Sequence, residues 1–223
     1  MVALDHAEDT SIKLTAREEV LKKIDSDVYT MDVPAGTTYS LEVWLNLLLI
    51  QSYGDAANTI ADGLAGSVDQ FVVWMNEKIA ELGLENTIVD NAIGIDIGNN
   101  CTNIHASASD MMRITLEAMK YPLIKEIVVK KTYTIPANGT IEEHEIKNSN
   151  RFLSQPDRYK SKLFSAVGGK TGSTKAAGKC LSVVVQTKTG HEYACVYYGG
   201  ITYYDKYTEI IDIMEKVIKG YGE

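Results

Sequence analysis

Apolar positions change their spacing part-way along this chain. Between residues 41 and 129 they recur every three or four positions, as on a helix with one buried face; between 166 and 198 they alternate and are rich in valine, as in strands. The first region predicts helices over Leu41–Gln51, Ala56–Leu64, Asp69–Leu82, Asp110–Lys120 and Leu123–Val129. Ser40 is placed to cap the first, with Glu42 in its opening turn, where the helix dipole favours an acid. Ser52-Tyr53-Gly54-Asp55 breaks the helical pattern, Gly66 and Gly83 close the next two helices, and Pro122 stops the fourth. Phe71, Val72, Met75, Ile79 and Leu82 share one face of the third. The second region predicts strands Ala166–Thr171, Leu181–Thr187 and Tyr193–Tyr198, then a helix Thr208–Tyr221 with Ile211, Met214, Val217 and Ile218 on one stripe. That helix is long enough to cover one face of a three-stranded antiparallel sheet. Smaller pieces complete the pattern. Met1–Glu8 reads as a helix end with no start signal before it. Ile12–Thr15 and Tyr29–Val33 read as short strands, and Asn86–Asn103 as loop. Lys131–Ile135 and Ile141–Ile146 read as a hairpin around Asn138-Gly139, a type I′ turn signal. With no internal repeat and no low-complexity linker, these elements predict a single α+β domain over residues 1–223.

Composition narrows the classes. The 223 residues are 45% hydrophobic, enough for a packed core, and carry a net charge of −8. No basic cluster of nucleic-acid type is present, so neither DNA nor RNA is an expected partner. The most apolar stretch, Leu45–Ile50 with Leu41 and Val43 nearby, falls short of the ~20 residues of a membrane span. The start is acidic and polar after Leu4, unlike a signal peptide. Cys101, Cys180 and Cys195 lack metal-ligand spacing, and His144-Glu145 has no second histidine one turn on; no metal is expected. Tyr193, Tyr197, Tyr198, Tyr203, Tyr204 and Tyr207 read as a half-exposed sheet face and helix seam rather than a ligand platform.

The stretch that draws chemical interest is Gly169-Lys170-Thr171-Gly172-Ser173. A phosphate loop needs a glycine where Phe164 stands and a helix after the Lys-Thr pair. Strand-like residues follow here instead, so that reading is rejected. The other reading puts Lys170 and Thr171 on an edge strand, holding a ligand carboxylate. The tripeptide alone is weak evidence, because Lys188-Thr189-Gly190 repeats it at what reads as a simple turn.

Several ordered blocks strengthen the second reading. Leu47-Leu48-Leu49-Ile50-Gln51-Ser52-Tyr53-Gly54-Asp55-Ala56-Ala57, Asn91-Ala92-Ile93-Gly94-Ile95-Asp96, His105-Ala106-Ser107-Ala108-Ser109-Asp110-Met111 and Tyr121-Pro122-Leu123-Ile124 come first. Tyr133-Thr134-Ile135-Pro136, Asn148-Ser149-Asn150-Arg151-Phe152-Leu153 and Gly169 through Leu181 follow in the same order. Together they resemble serine-type D-alanyl-D-alanine carboxypeptidases, the low-molecular-mass penicillin-binding proteins of peptidase S11 type, from Met1 to about Gly200. The resemblance implies a β-lactamase/DD-peptidase-like fold, a helical region plus a C-terminal antiparallel sheet covered by a helix. It implies a hydrolase that removes the terminal D-Ala of peptidoglycan stem peptides through an acyl-enzyme, with no cofactor, in the extracytoplasmic cell envelope. Ser52 is then the relay serine of Ser-x-Asn. Lys170 and Thr171 are the carboxylate site, Gly172 the close-approach residue and the Ser173 N–H an oxyanion donor. An extended peptide ending in D-Ala-D-Ala is the expected partner, paired beside the Lys170 strand. Asn91, Asp96 and Asn150 read as loop-stabilising side chains rather than substrate contacts.

Two departures qualify this. The sequence contains no Ser-x-x-Lys. Met1-Val2-Ala3-Leu4 resembles the segment that follows that motif, so the nucleophile and the first strands are expected upstream of Met1. The chain alone is then expected to be inactive, and to react with β-lactams only if that motif is restored. Second, Gly54 stands where the family has the asparagine of Ser-x-Asn. Loss of one such amide costs about 2–4 kcal/mol of transition-state stabilisation in a working site. The alternative reading is a catalytically dead protein of the same fold that holds peptidoglycan or peptide.

Overall fold

The computed structural model describes residues 1–96 and 104–222. The chain divides into two compact units, Met1–Ala106 with Tyr133–Ile146, and Ser107–Thr132 with Lys147–Glu223. Cys101 and the end of the Asn86–Asn103 loop lie outside the described residues.

The first unit begins with α1 (Val2–His6), β1 (Lys13–Thr15), α2 (Glu18–Leu21) and β2 (Thr38–Ser40). Its helical centre is α3 (Leu41–Gln51), α4 (Gly54–Ala65) and α5 (Val68–Glu81). Two short antiparallel pairs follow, β3 (Thr87–Ile88) with β4 (His105–Ala106), and β5 (Thr132–Ile135) with β6 (His144–Lys147). Leu41, Trp44, Leu45, Leu47 and Ile50 of α3 are all buried. A helix apolar on most sides belongs inside, and its polar edges need partners. The Trp44 indole N–H accordingly donates to the Leu14 carbonyl at 3.0 Å, and Ser40 Oγ accepts from the Val43 N–H. Buried Asp62 of α4 accepts both donors of the Arg17 fork.

The second unit contains α6 (Ala108–Ala118), α7 (Pro122–Val128) and the single turn α8 (Arg151–Ser154). Its sheet is antiparallel in the order β7 (Phe164–Thr174), β8 (Gly178–Thr187), β9 (Glu192–Gly200), and α9 (Asp205–Gly220) closes the chain. Thr171 pairs with Leu181, Gly172 with Cys180 and Ser173 with Lys179, so β7 is an edge strand of this sheet among the described residues. The register slips between Ala166 and Gly168, a bulge at Val167, three positions before Lys170. Ile210, Met214 and Ile218 of α9 pack with Leu181, Val183 and Val185 to form the core. Helices plus an antiparallel sheet make the mixed α+β class expected from the sequence. Among the described residues, no helix is long and apolar enough to cross a membrane.

Three local expectations need correction. Tyr29–Val33 forms no strand, because the Asp55 carboxylate takes the Met31 and Val33 N–H groups that a ladder would use. Asn138-Gly139 does not make a type I′ turn: only Gly139 has positive φ, and Asn138 Oδ1 instead accepts from the Thr140 and Ile141 N–H groups. The last helix starts at Asp205, three residues early, and Val217 lies outside the buried stripe at 38% exposure. Lys188-Thr189-Gly190 is the β8–β9 turn, closed by the Gly190 N–H on the Thr187 carbonyl.

Candidate active site

In the first unit the candidate residues sit on the corner between α3 and α4. Ser52 caps the C-terminus of α3 in the left-handed conformation, φ 65° and ψ 36°, with its N–H on the Leu48 carbonyl at 2.9 Å. Glycine is the usual residue there, and a side chain held in that region marks a position where the surroundings overrule local preference. Asp32 is the other non-glycine residue with positive φ among those described. Tyr53 is buried and stacks on Tyr29 with ring centres 5.2 Å apart; burial pushes its phenol above the ordinary range. The Gly54 N–H donates to the Tyr29 carbonyl at 2.9 Å. Asp55 anchors the start of α4 by accepting from the Met31, Val33 and Ala56 N–H groups, while burial raises its carboxyl.

The corner is full at Gly54. A Cβ added there would lie 2.3 Å from Val28 Cγ1 and 3.3 Å from Ile93 Cγ2. Val28 is itself buried, on the short coil before Tyr29. The space that an asparagine side chain would start from is therefore held by a valine methyl. Asn91 lies beyond it and organises its own loop, accepting from the Ile93 and Gly94 N–H groups.

In the second unit the candidates lie along β7. Gly169 enters at φ +150°, and a Cβ on it would come within 2.4 Å of the Ser182 carbonyl oxygen. Only glycine lets the two strands approach this closely just before Lys170. Half-buried Lys170 donates to the Thr171 carbonyl at 3.0 Å; burial, then repulsion from Lys206, lowers its ammonium to about 8. Thr171 Oγ1 and Ser149 Oγ are hydrogen-bonded at 2.7 Å. A Cβ on Gly172 would meet Cys180 Cβ at 3.6 Å, an ordinary contact, so nothing in this unit's packing requires glycine there. Ser173 Oγ accepts from Lys179 Nζ at 2.7 Å.

Sequence reasoning missed three contributors. Ser149 holds the Thr171 hydroxyl, and Tyr207 Oη holds the Ser149 loop by donating to the Ser149 carbonyl and accepting from the Arg151 N–H. Lys206 is 1% exposed, donates to the Cys180 carbonyl at 3.0 Å and is lowered to about 8 by burial. Its signal was present: Lys206 falls on the 206-210-214-218 register of α9, where a lysine is out of place on a core stripe. Asn150 caps α8 through the Phe152 N–H, as a loop-stabilising residue should.

A β7 edge strand with Lys-Thr-Gly, preceded by a strained serine corner after a buried helix, is an arrangement that comparison with known proteins can test. The D-alanyl-D-alanine carboxypeptidase profile of peptidase S11 matches residues 1–197. The chain belongs to that family. D-alanyl-D-alanine carboxypeptidase DacB2 of Mycobacterium tuberculosis is 30% identical over 188 residues, 81% of this chain and 60% of the relative. DacF of Bacillus subtilis is 29% identical over 190 residues, 83% of this chain and 44% of the relative. The chain thus spans less than two thirds of these curated relatives. A crystal structure of the Mycobacterium tuberculosis D-alanyl-D-alanine carboxypeptidase superposes with a TM-score of 0.80 at 25% identity, covering 96% of this chain and 76% of that one. A mutant of the Streptomyces K15 DD-transpeptidase gives 0.82 at 25% identity, covering 96% and 82%. This carboxypeptidase-family chain therefore carries the DD-peptidase fold expected from its sequence blocks.

Proposed function

We propose that this chain supplies the carboxylate-recognition and proton-relay parts of a serine D-Ala-D-Ala carboxypeptidase acting on peptidoglycan stem peptides in the cell envelope. The observation that carries the reading is the pair Lys170 and Thr171 on β7. A partly desolvated ammonium attracts an anion more strongly than a hydrated one, because less water must be displaced and less screening remains. The Thr171 hydroxyl is oriented by Ser149 and can serve as the second contact to a terminal carboxylate. Gly172 leaves the strand edge open to an extended peptide, and the Ser173 N–H is the proposed oxyanion donor. Ser52 is the proposed proton relay, its left-handed backbone being the kind of strain that functional positions retain. These assignments are carried over residue by residue from the family pattern. With no Ser-x-x-Lys among its 223 residues, the chain alone forms no acyl-enzyme and does not bind β-lactams covalently.

Calorimetric titration tests the reading. An acetylated peptide ending in D-Ala-D-Ala binds, its C-terminal amide binds at least ~10-fold more weakly, and Lys170→Met removes that difference. Equal binding of acid and amide by the native chain sinks the carboxylate site. Intact mass after incubation with a labelled penicillin shows no added mass.

A further inference from the structure

The second unit gathers Arg151, Arg158, Lys179 and Lys206 around tyrosine rings. Tyr204 has the guanidinium carbons of Arg151 and Arg158 each 4.8 Å from its ring centre. Tyr203 has Lys179 Nζ at 4.1 Å, with Arg151 and Lys206 both at 5.9 Å. Among the described residues, none of these four cations has a carboxylate within ion-pair distance. The chain has 30 acidic residues against 22 Lys and Arg, so carboxylates are not scarce. Here aromatic faces stand in their place. The cations' hydrogen bonds go to neutral oxygens instead, Lys179 Nζ to Ser173 Oγ and Arg151 to tyrosine hydroxyls, so the positive charge is left unneutralised and can attract an anion. Tyr203 and Tyr204 are 50% and 47% exposed, so the cluster opens to solvent. Both phenols are drawn below their usual range, Tyr203 by Lys179 and Tyr204 by Arg151.

The cluster adjoins β7. Lys179 reaches it through Ser173 Oγ, and Ser173 lies on the same strand face as Thr171, two residues and roughly 7 Å further along. We propose that Arg151, Arg158 and Lys179, set on Tyr203 and Tyr204, form a subsite for a carboxylate-bearing side chain near the C-terminus of the peptide held along β7. This rests on the reading of Lys170 and Thr171 as the terminal-carboxylate site, and it adds a second, internal acid to the substrate. The sequence expectation of a helix seam fits Tyr207, which is buried; Tyr203 and Tyr204 act instead as a platform for cations.

The test compares two acetylated peptides, Gly-Glu-D-Ala-D-Ala and Gly-Gln-D-Ala-D-Ala, by titration into the native chain. The Glu peptide binds about tenfold more tightly at low salt, and the ratio shrinks as salt rises. In the Arg151→Gln/Lys179→Gln chain the Glu-to-Gln ratio falls to about one. Lys179→Gln alone serves if the double variant does not fold, and lowers the ratio part of the way. Equal affinities in the native chain overturn the subsite. Weak binding of both peptides with no preference for acid over amide at the C-terminus would count against the Lys170 reading instead. A separate arm then decides the subsite: N-acetylglutamate amide should move the Arg151 side-chain and Tyr203 NMR signals. If those signals do not move, or move only with inorganic phosphate, the carboxylate subsite is wrong.

Discussion

The α3–α4 corner and the β7 edge bear the two halves of one family pattern and are built in opposite ways. At the corner, backbone strain and packing dominate: Ser52 is left-handed, Tyr53 is buried, and Val28 fills the space beside Gly54. Along β7, polar side chains dominate: Lys170, Thr171 and Ser173 each engage a donor or acceptor, and two buried or half-buried lysines are lowered to about 8. The corner has glycine at position 54, and the Val28 methyl fills the space a side chain there would enter. The strand carries Lys-Thr-Gly, and among the described residues no strand pairs with its outer edge. Packing decides what the corner tolerates, whereas charge and hydrogen bonding decide it along the strand.

The comparison is most easily broken at Gly169. Gly169→Ala puts a Cβ 2.4 Å from the Ser182 carbonyl on a backbone at φ +150°, so more than about 3 kcal/mol of stability is expected to go. Urea unfolding reads the loss. Hydrogen exchange should accelerate at β7 and β8 amides more than at α3 and α4; equal acceleration in both would show that the two regions do not differ as described.

At the corner, Gly54→Asn should destabilise by about 1–3 kcal/mol through overpacking against Val28. Val28→Ala in the same chain should recover part of that, giving a favourable coupling in a double-mutant cycle. Additive losses would mean Val28 is not what fills the space.

A subtler difference lies in pH. Lys170 is lowered from 10.5 to about 8 in the folded chain, so its charged form is disfavoured by folding. The penalty is full below pH 8. Above that the folded chain has shed a proton that the unfolded chain still holds, so stability rises with pH towards the ordinary lysine value. The native chain should therefore gain stability relative to Lys170→Met between about pH 8 and 9.5, by denaturant midpoint. Carboxylate affinity should fall over the same interval as the ammonium is lost. No relative gain would mean the ammonium is not desolvated.

The smallest expected change is at Ser52. Ser52→Gly relieves a left-handed side chain and should raise stability by about 0.5–1 kcal/mol while removing the proposed relay. A thermal melt checks it; a clear loss of stability would show that the serine side chain is itself structural.

The sheet was legible because Leu181, Val183, Val184 and Val185 state their burial in alternating and β-branched residues, and α9 because Met214 and Ile218 sit one turn apart. The same patterning misled at Tyr29–Val33, where a single carboxylate from a distant helix claimed the backbone donors. Lys170 and Thr171 were readable through their flanking glycines. Lys206 was overlooked although it falls on the 206-210-214-218 stripe, because the sequence reading starts that helix only at Thr208. The occupant of the Gly54 space was not legible: a missing side chain shows in the sequence, but the neighbour that fills its volume is 26 positions away and carries no motif.

The methyl of Val28 gives substitutions at this corner an order. A chain that gains asparagine at position 54 first must pass through an overpacked protein, while one that first trims position 28 meets only a small cavity. Either change alone lowers stability, and the pair admits an amide at the smaller cost. Positions 28 and 54 are thus linked: the residue at one decides whether a side chain is admitted at the other.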